Sequence, residues 1–259
     1  MAARPATGST IPTTRWRLRR WVARPAGWLM PGRLDDPHRA LAQSEGLNAQ
    51  GYGIVLLINH FSTRDSLQAL QLLFASPVFS RRPILAPVAF HQYGRYGALI
   101  RFLARRLGLQ LCPIVTGGTV KRLGASYQRG QGLPAYLQAA AGCLAQGGII
   151  LLAPQGGRRR RLGRPRGRPV GNLLAYAKRH GVSDVALLLL GLGLSEAEDY
   201  DDPSLRGYNL GRVYDLHLGQ LITLQQLTQQ GLRLRQIDAW VFERLAELVP
   251  TAYMRPVSV

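Results

Sequence analysis

Lysine is almost absent from this chain of 259 residues: only Lys121 and Lys178 occur, although Lys and Arg together number 33 against 14 Asp and Glu. The formal net charge of +19 is therefore carried by arginine. Such a bias can follow from the base composition of a gene. Equally, a surface this positive draws polyanions: acidic lipid headgroups, an acidic carrier protein or nucleic acid. Cysteine is scarce as well. Cys112 and Cys143 sit in apolar stretches and read as buried thiols, which gives neither a disulfide framework nor a zinc site and fits a reducing compartment. No uninterrupted apolar run reaches the roughly 18 residues that span a bilayer. The longest, Val185 to Leu194, suits a buried strand. The N-terminus has no apolar core segment, so a secretory signal is not expected. No Gly-x-Ser-x-Gly elbow occurs, which argues against a hydrolase of that serine-nucleophile type. A base-reading module is missing too, so nucleic-acid binding would rest on charge alone and be nonspecific.

What is present is enough apolar sequence, 46% of residues, for one sizeable core. Residues 1–34 contain no acidic side chain but carry seven arginines with Trp16, Trp21 and Trp28. Three readings compete for this stretch. It can rest in a lipid interface, with indoles at headgroup level and guanidiniums on phosphates. It can be a basic tail whose tryptophans pack on the domain, or an organelle transit peptide. The division expected is a basic arm over 1–37, a domain over 38–250 and a tail over 251–259.

Along the chain, a short helix is predicted over His38 to Ser44. Gly53 to Ile58 is apolar without alternation, as strands of a parallel sheet are. A helix from about Thr63 to Phe74 and a strand over Pro83 to Phe90 follow. The helix over Ala98 to Leu107 is amphipathic, setting Leu99, Phe102, Leu103 and Leu107 opposite Arg101, Arg105 and Arg106. Leu109 to Val115, Gly148 to Ala153, Val185 to Leu190 and Val213 to Leu218 read as strands. Helices are expected over Leu133 to Ala145, Gly171 to His180 and Leu234 to Leu248. Strands alternating with helices predict a single α/β domain with a mainly parallel, twisted central sheet flanked by helices.

Two segments carry possible chemistry. Asn59-His60-Phe61-Ser62-Thr63-Arg64-Asp65 leaves a buried strand, where loops of α/β sheets open onto a crevice. A histidine there can take a proton from an attacking alcohol, and an acidic residue can hold its second nitrogen and stabilise the cation that forms. The competing reading is structural, with Ser62 and Asp65 capping the next helix. The second segment, Ala153-Pro154-Gln155-Gly156-Gly157-Arg158, also leaves a buried strand and runs into Arg159 to Arg161. Glycines admit an anion close to the backbone, and guanidinium suits bidentate phosphate binding. A solvated basic run is the alternative.

Together these segments resemble the glycerolipid acyltransferase family, which includes the lysophosphatidic acid acyltransferases. Asn59, His60 and Asp65 match its Asn-His-x4-Asp motif, and Ala153 to Arg158 is similar to its Phe-Pro-Glu-Gly-Thr-Arg motif. Gly171 to Gly181, Val185 to Leu190, Gly219 with Ile222, and Arg244 to Pro250 are similar to its downstream elements, so the likeness spans about residues 50–250. The chain departs from the family at Gln155, where the motif has Glu, and in lacking an Ile-Asp-Arg strand ending and a proline in Val185 to Leu190. Lys121 and Arg122 are candidates for the missing cation, against a plain surface role. The resemblance implies a glycerol-3-phosphate acyltransferase-like fold with His60 as general base and Asp65 as its partner. It further implies Asn59, Gln155, Gly156, Gly157 and Arg158 on the substrate, and no metal or cofactor. The donor would be acyl-CoA or an acyl carrier protein, and the protein would be cytoplasmic and peripheral on an anionic membrane. The alternatives left open are an inactive lipid-binding relative and a nonspecific polyanion binder.

Overall fold

Strands that are apolar at every position need cover on both faces, and the layers of this molecule supply it. In the computed structural model, the residues described are 13–93, 97–124, 126–165, 167–197, 199–200 and 202–254. The first twelve residues of the basic arm and the last five of the tail lie outside them. The chain opens with α1 (Thr13–Leu29), β1 (Gly32–Asp35), α2 (Ala40–Ala49), β2 (Gly53–Ile58) and α3 (Asp65–Ala75). It continues through β3 (Ile84–Ala89), α4 (Gly97–Arg106), β4 (Leu109–Ile114), α5 (Gly117–Leu123), α6 (Leu133–Ala145) and β5 (Ile149–Leu152). After α7 (Pro169–Arg179) come β6 (Val185–Leu194), β7 (Tyr214–Leu218), β8 (Ile222–Thr223), α8 (Leu224–Gln229), α9 (Ile237–Leu248) and α10 (Thr251–Met254).

These strands make one sheet in the order β1-β7-β6-β2-β5-β3-β4, with β8 on β6. The run from β6 to β4 is parallel throughout, whereas β7 and β8 meet β6 antiparallel. The expected α/β fold with a mainly parallel sheet is what forms. In β2, Ile54, Leu56 and Ile58 enter a core shared with Ala69 and Leu73 of α3. Val55 and Leu57 enter the opposite one, with Leu144 of α6, Leu174 of α7 and Val241 of α9. Gly171 lies in the first turn of α7 because a Cβ there would meet the Leu234 carbonyl oxygen at 2.5 Å.

The stretch before the expected boundary at residue 37 makes contact with the rest of the fold. α1 and β1 are built into the domain, for two physical reasons. β1 lies parallel along β7, with Gly32 to Asp35 opposite Tyr214 to His217. Arg19 is fully buried and donates to the carbonyls of Leu107 (2.6 Å), Arg82 (2.7 Å), Gly108 (2.8 Å) and Ser80 (3.1 Å). Burial, with Arg15 adding to it, lowers its pKa to about 10. The three tryptophans of this stretch divide accordingly. Trp16 is half-buried with Arg81 over its ring, while Trp21 and Trp28 stand in solvent.

The amphipathic stripe predicted over Ala98 to Leu107 forms on α4 but points outward. Gly97 and Ala104 are the residues that α4 buries, and Leu99, Phe102 and Leu103 are exposed. No helix among the described residues is long and apolar enough to cross a membrane.

Candidate functional site

The strand order sets the carboxyl ends of β2, β5, β3 and β4 side by side. The first of these delivers His60 and the second Gln155. Beyond β3, a 3-10 turn (Phe90–Tyr93) carries His91, and beyond β4 stands Thr116.

His60 and Asp65 meet. Nδ1 of the ring is 3.1 Å from Oδ2 of the carboxylate. Asp65 is the first residue of α3 and has no exposed surface. Its carboxylate also accepts from the amides of Phe61 (2.6 Å) and Ser62 (2.7 Å), the Ser62 hydroxyl (2.7 Å) and the Tyr214 hydroxyl (3.1 Å). The catalytic and structural readings of Asp65 are thus compatible: one carboxylate satisfies the loop and grips the imidazole. With an acceptor facing Nδ1, the neutral ring keeps its proton there and presents Nε2 as the basic nitrogen. The His60 side chain remains 14% exposed, enough for solvent or substrate to reach it.

What holds this loop was not visible in the sequence. Arg64 is fully buried over the Tyr214 ring at 4.4 Å. It donates to the carbonyls of Asn209 (2.6 Å), Arg212 (2.8 Å) and Pro31 (2.8 Å) and to Oε1 of Gln68 (3.2 Å). Burial lowers its pKa, while Tyr214 and Asp65 pull the other way. Burial first and Asp65 second raise the pKa of the Tyr214 phenol, so it remains a donor. Phe61 stacks on Tyr214 at 5.7 Å and meets Tyr200 edge-on at 5.0 Å, forming an aromatic floor beneath the loop.

Asn59, expected on the substrate, makes its hydrogen bonds within the fold. It is fully buried, its amide nitrogen donates to the Leu192 carbonyl (2.8 Å), and its oxygen accepts from the Leu192 amide (2.6 Å). The side chain continues the hydrogen-bond ladder between β2 and β6 past the end of the strand.

Gln155, also expected on the substrate, likewise bonds within the fold. It is buried and points back into the protein, where its nitrogen donates to the His60 carbonyl (2.6 Å) and the Tyr253 hydroxyl (3.1 Å). The same His60 carbonyl accepts from the Arg159 amide (2.9 Å). Gln155 therefore ties the second loop to the backbone of His60.

Gly156, Gly157 and Arg158 are exposed. Gly156 has φ +89, a conformation that favours glycine, and a Cβ at either glycine would meet nothing within 4 Å. Arg158 reaches across to donate to the Thr63 hydroxyl at 2.6 Å, which brings its guanidinium over the His60–Asp65 loop.

His91, which sequence reasoning passed over, accepts or donates at the Thr119 hydroxyl at 2.9 Å. Its pKa is lowered by burial and then by the positive charges of Arg122 and Arg158. Arg122 therefore acts on the same corner of the site as Arg158. A histidine just past a predicted strand end was the one available signal.

No family model matches this chain, and a search of curated proteins finds no match. Among solved structures, the chain is similar to the crystal structure of the 1-acyl-sn-glycerophosphate acyltransferase PlsC from Thermotoga maritima. The identity is 12%, covering 90% of this chain and 78% of that one, with a TM-score of 0.49.

Proposed function

We propose that this chain moves a fatty acyl group from acyl-CoA or an acyl carrier protein to a hydroxyl of a phosphate-bearing glycerolipid such as 1-acylglycerol 3-phosphate. The observation that carries the reading is the His60–Asp65 contact of 3.1 Å beside the exposed Gly156–Arg158 turn. It supports, from geometry, what the two motifs imply from sequence.

In this mechanism the acceptor hydroxyl gives its proton to Nε2 of His60 as its oxygen bonds to the thioester carbon. Asp65 stabilises the imidazolium. The tetrahedral intermediate collapses with breakage of the carbon–sulfur bond, and the departing thiolate takes the proton back from His60. No acyl-enzyme forms. Arg158 and the glycine turn hold the acceptor phosphate. Since Asn59 is committed to Leu192, polarisation of the carbonyl falls to loop amides, among which that of Gly157 has no hydrogen-bond partner among the described residues. Tyr214, Ser62 and Gln155 position the loop and touch no reacting atom. An acceptor of this kind resides in a bilayer, so the protein would work at an anionic membrane surface.

The test is thiol release from labelled acyl-CoA or acyl carrier protein, offered with a panel of lysolipids and glycerol phosphate. Release should depend on one class of acceptor. His60→Ala should reduce turnover by roughly 10²–10⁴-fold while the melting temperature is kept. Undiminished turnover in that variant removes His60 from the mechanism. No acceptor-dependent release with any pair would leave a lipid-binding protein of the same fold.

A further inference from the structure

From Ser66 to Ser183 the sequence contains 18 Lys and Arg and not one Asp or Glu. That stretch holds all of β3, β4 and β5, three of the eight strands and one flank of the sheet, with α4 to α7. Within it, α4 presents Leu99 (55% exposed), Ile100 (38%), Phe102 (52%) and Leu103 (49%) to the outside. Arg101, Arg105 and Arg106 border this stripe, and Arg106 lies 5.2 Å from the Phe102 ring centre. Beneath, α4 rests on the terminal strand β4 and on the 90–93 turn, and nothing among the described residues covers its outer face. A helix of this length with three arginines would gain nothing from exposing four large apolar side chains to water.

We propose that the outer face of α4 docks on a bilayer bearing anionic lipid. The apolar stripe would enter the acyl boundary while the arginines meet phosphates, as interfacial helices do. Nucleic acid matches the arginines but not the apolar stripe. A second copy placed face to face would oppose arginine to arginine with no acid on either side. α1 extends the same surface chemistry, because Arg19 fastens it to the carbonyls of Leu107 and Gly108 at the far end of α4, and it exposes Trp21, Trp28 and Leu29. α4 follows the turn that carries His91, so docking there puts the mouth of the Gly156–Arg158 site against lipid. That last consequence rests on the acyl-transfer reading; the docking itself does not.

Full-length protein should co-sediment with phosphatidylcholine vesicles containing phosphatidylglycerol, and less with phosphatidylcholine alone. Leu99→Glu/Leu103→Glu should weaken that partitioning by about 100-fold, since each apolar side chain withdrawn from an interface is worth roughly tenfold. Both positions are half-exposed, so the circular dichroism and melting temperature should be kept. A milder Leu99→Ser/Leu103→Ser pair, expected to lose a smaller part of the binding, guards against misfolding of the first. His60→Ala should bind vesicles as the parent does, which separates this surface from the chemistry. Unchanged partitioning in the double variants overturns the proposal. So does light scattering that shows the parent as a dimer and the variants as monomers, or binding that DNA abolishes equally in parent and variants.

Discussion

Replacing Gln155 by Glu would bring this position into line with the motif that the 153–158 segment resembles, and the structure expects the change to damage this protein. The Gln155 nitrogen donates to two acceptors, the His60 carbonyl at 2.6 Å and the Tyr253 hydroxyl at 3.1 Å, with the side chain almost fully buried. A carboxylate there has no proton for the carbonyl. Two hydrogen bonds of about 1 kcal/mol each are lost, and an ionised group faces an oxygen in a dry site, a situation that costs about 3–5 kcal/mol when uncompensated. The Tyr253 hydroxyl can turn to donate to the new carboxylate and recover about 1.5–3 kcal/mol. The net cost is about 3 kcal/mol, and it falls on the ionised form, so burial beside the carbonyl holds the Glu carboxyl above the usual carboxylate range. The sign follows. An acid whose folded pKa is raised gives the variant its relative stability below about pH 4.3, the ordinary Glu value, and the deficit grows as pH rises through the raised folded value. Thermal melts of parent and Gln155→Glu should differ little in mild acid and by about 6–10 °C at pH 8. Equal melting temperatures at pH 8, or higher activity in the variant, would refute the assignment of Gln155 as a donor to His60.

Three further outcomes are expected. Arg158→Ala should raise the KM of the acceptor by about 10- to 100-fold, the range of one charge-assisted phosphate contact, with the donor KM nearly unchanged; equal effects on both would reassign the turn. His91 should titrate below 6.5 by NMR, with the neutral ring favoured in the fold, so its contribution to stability is present above 6.5 and fades as pH falls through the lower folded value. Arg122→Ala and Arg158→Ala should each raise that midpoint by removing a like charge, and no movement in either would place those guanidiniums elsewhere. Arg19→Met should cost about 3–5 kcal/mol by leaving four carbonyls without their donor, and should expose α1 to trypsin before the rest of the chain.

The strands were legible because both faces of the sheet are covered: an unbroken run such as Gly53 to Ile58 has one physical meaning. The His60–Asp65 pair was legible because five residues of loop and first helical turn keep them together. Local spacing could not show what a side chain does once distant strands arrive. Asn59 meets Leu192 of β6, 133 residues on, and becomes a rung of the sheet. Gln155 is re-aimed by Tyr253, 98 residues away. The direction of the α4 stripe was equally hidden, since periodicity gives the existence of an apolar face and not what it faces. β1 carries a short, polar sequence, and only its pairing with β7 makes it a strand.

Arg64 has one more consequence. Its guanidinium binds the Pro31 carbonyl, and the residue after it supplies the carboxylate that steers His60. Trimming the first 34 residues to obtain a better-behaved protein would therefore cut out a neighbour of the His60–Asp65 loop. Loss of lipid binding or of turnover in such a shortened protein would be uninterpretable. A trim that ends before Thr13 spares both α1 and that carbonyl, and is the one from which a clean comparison can be drawn.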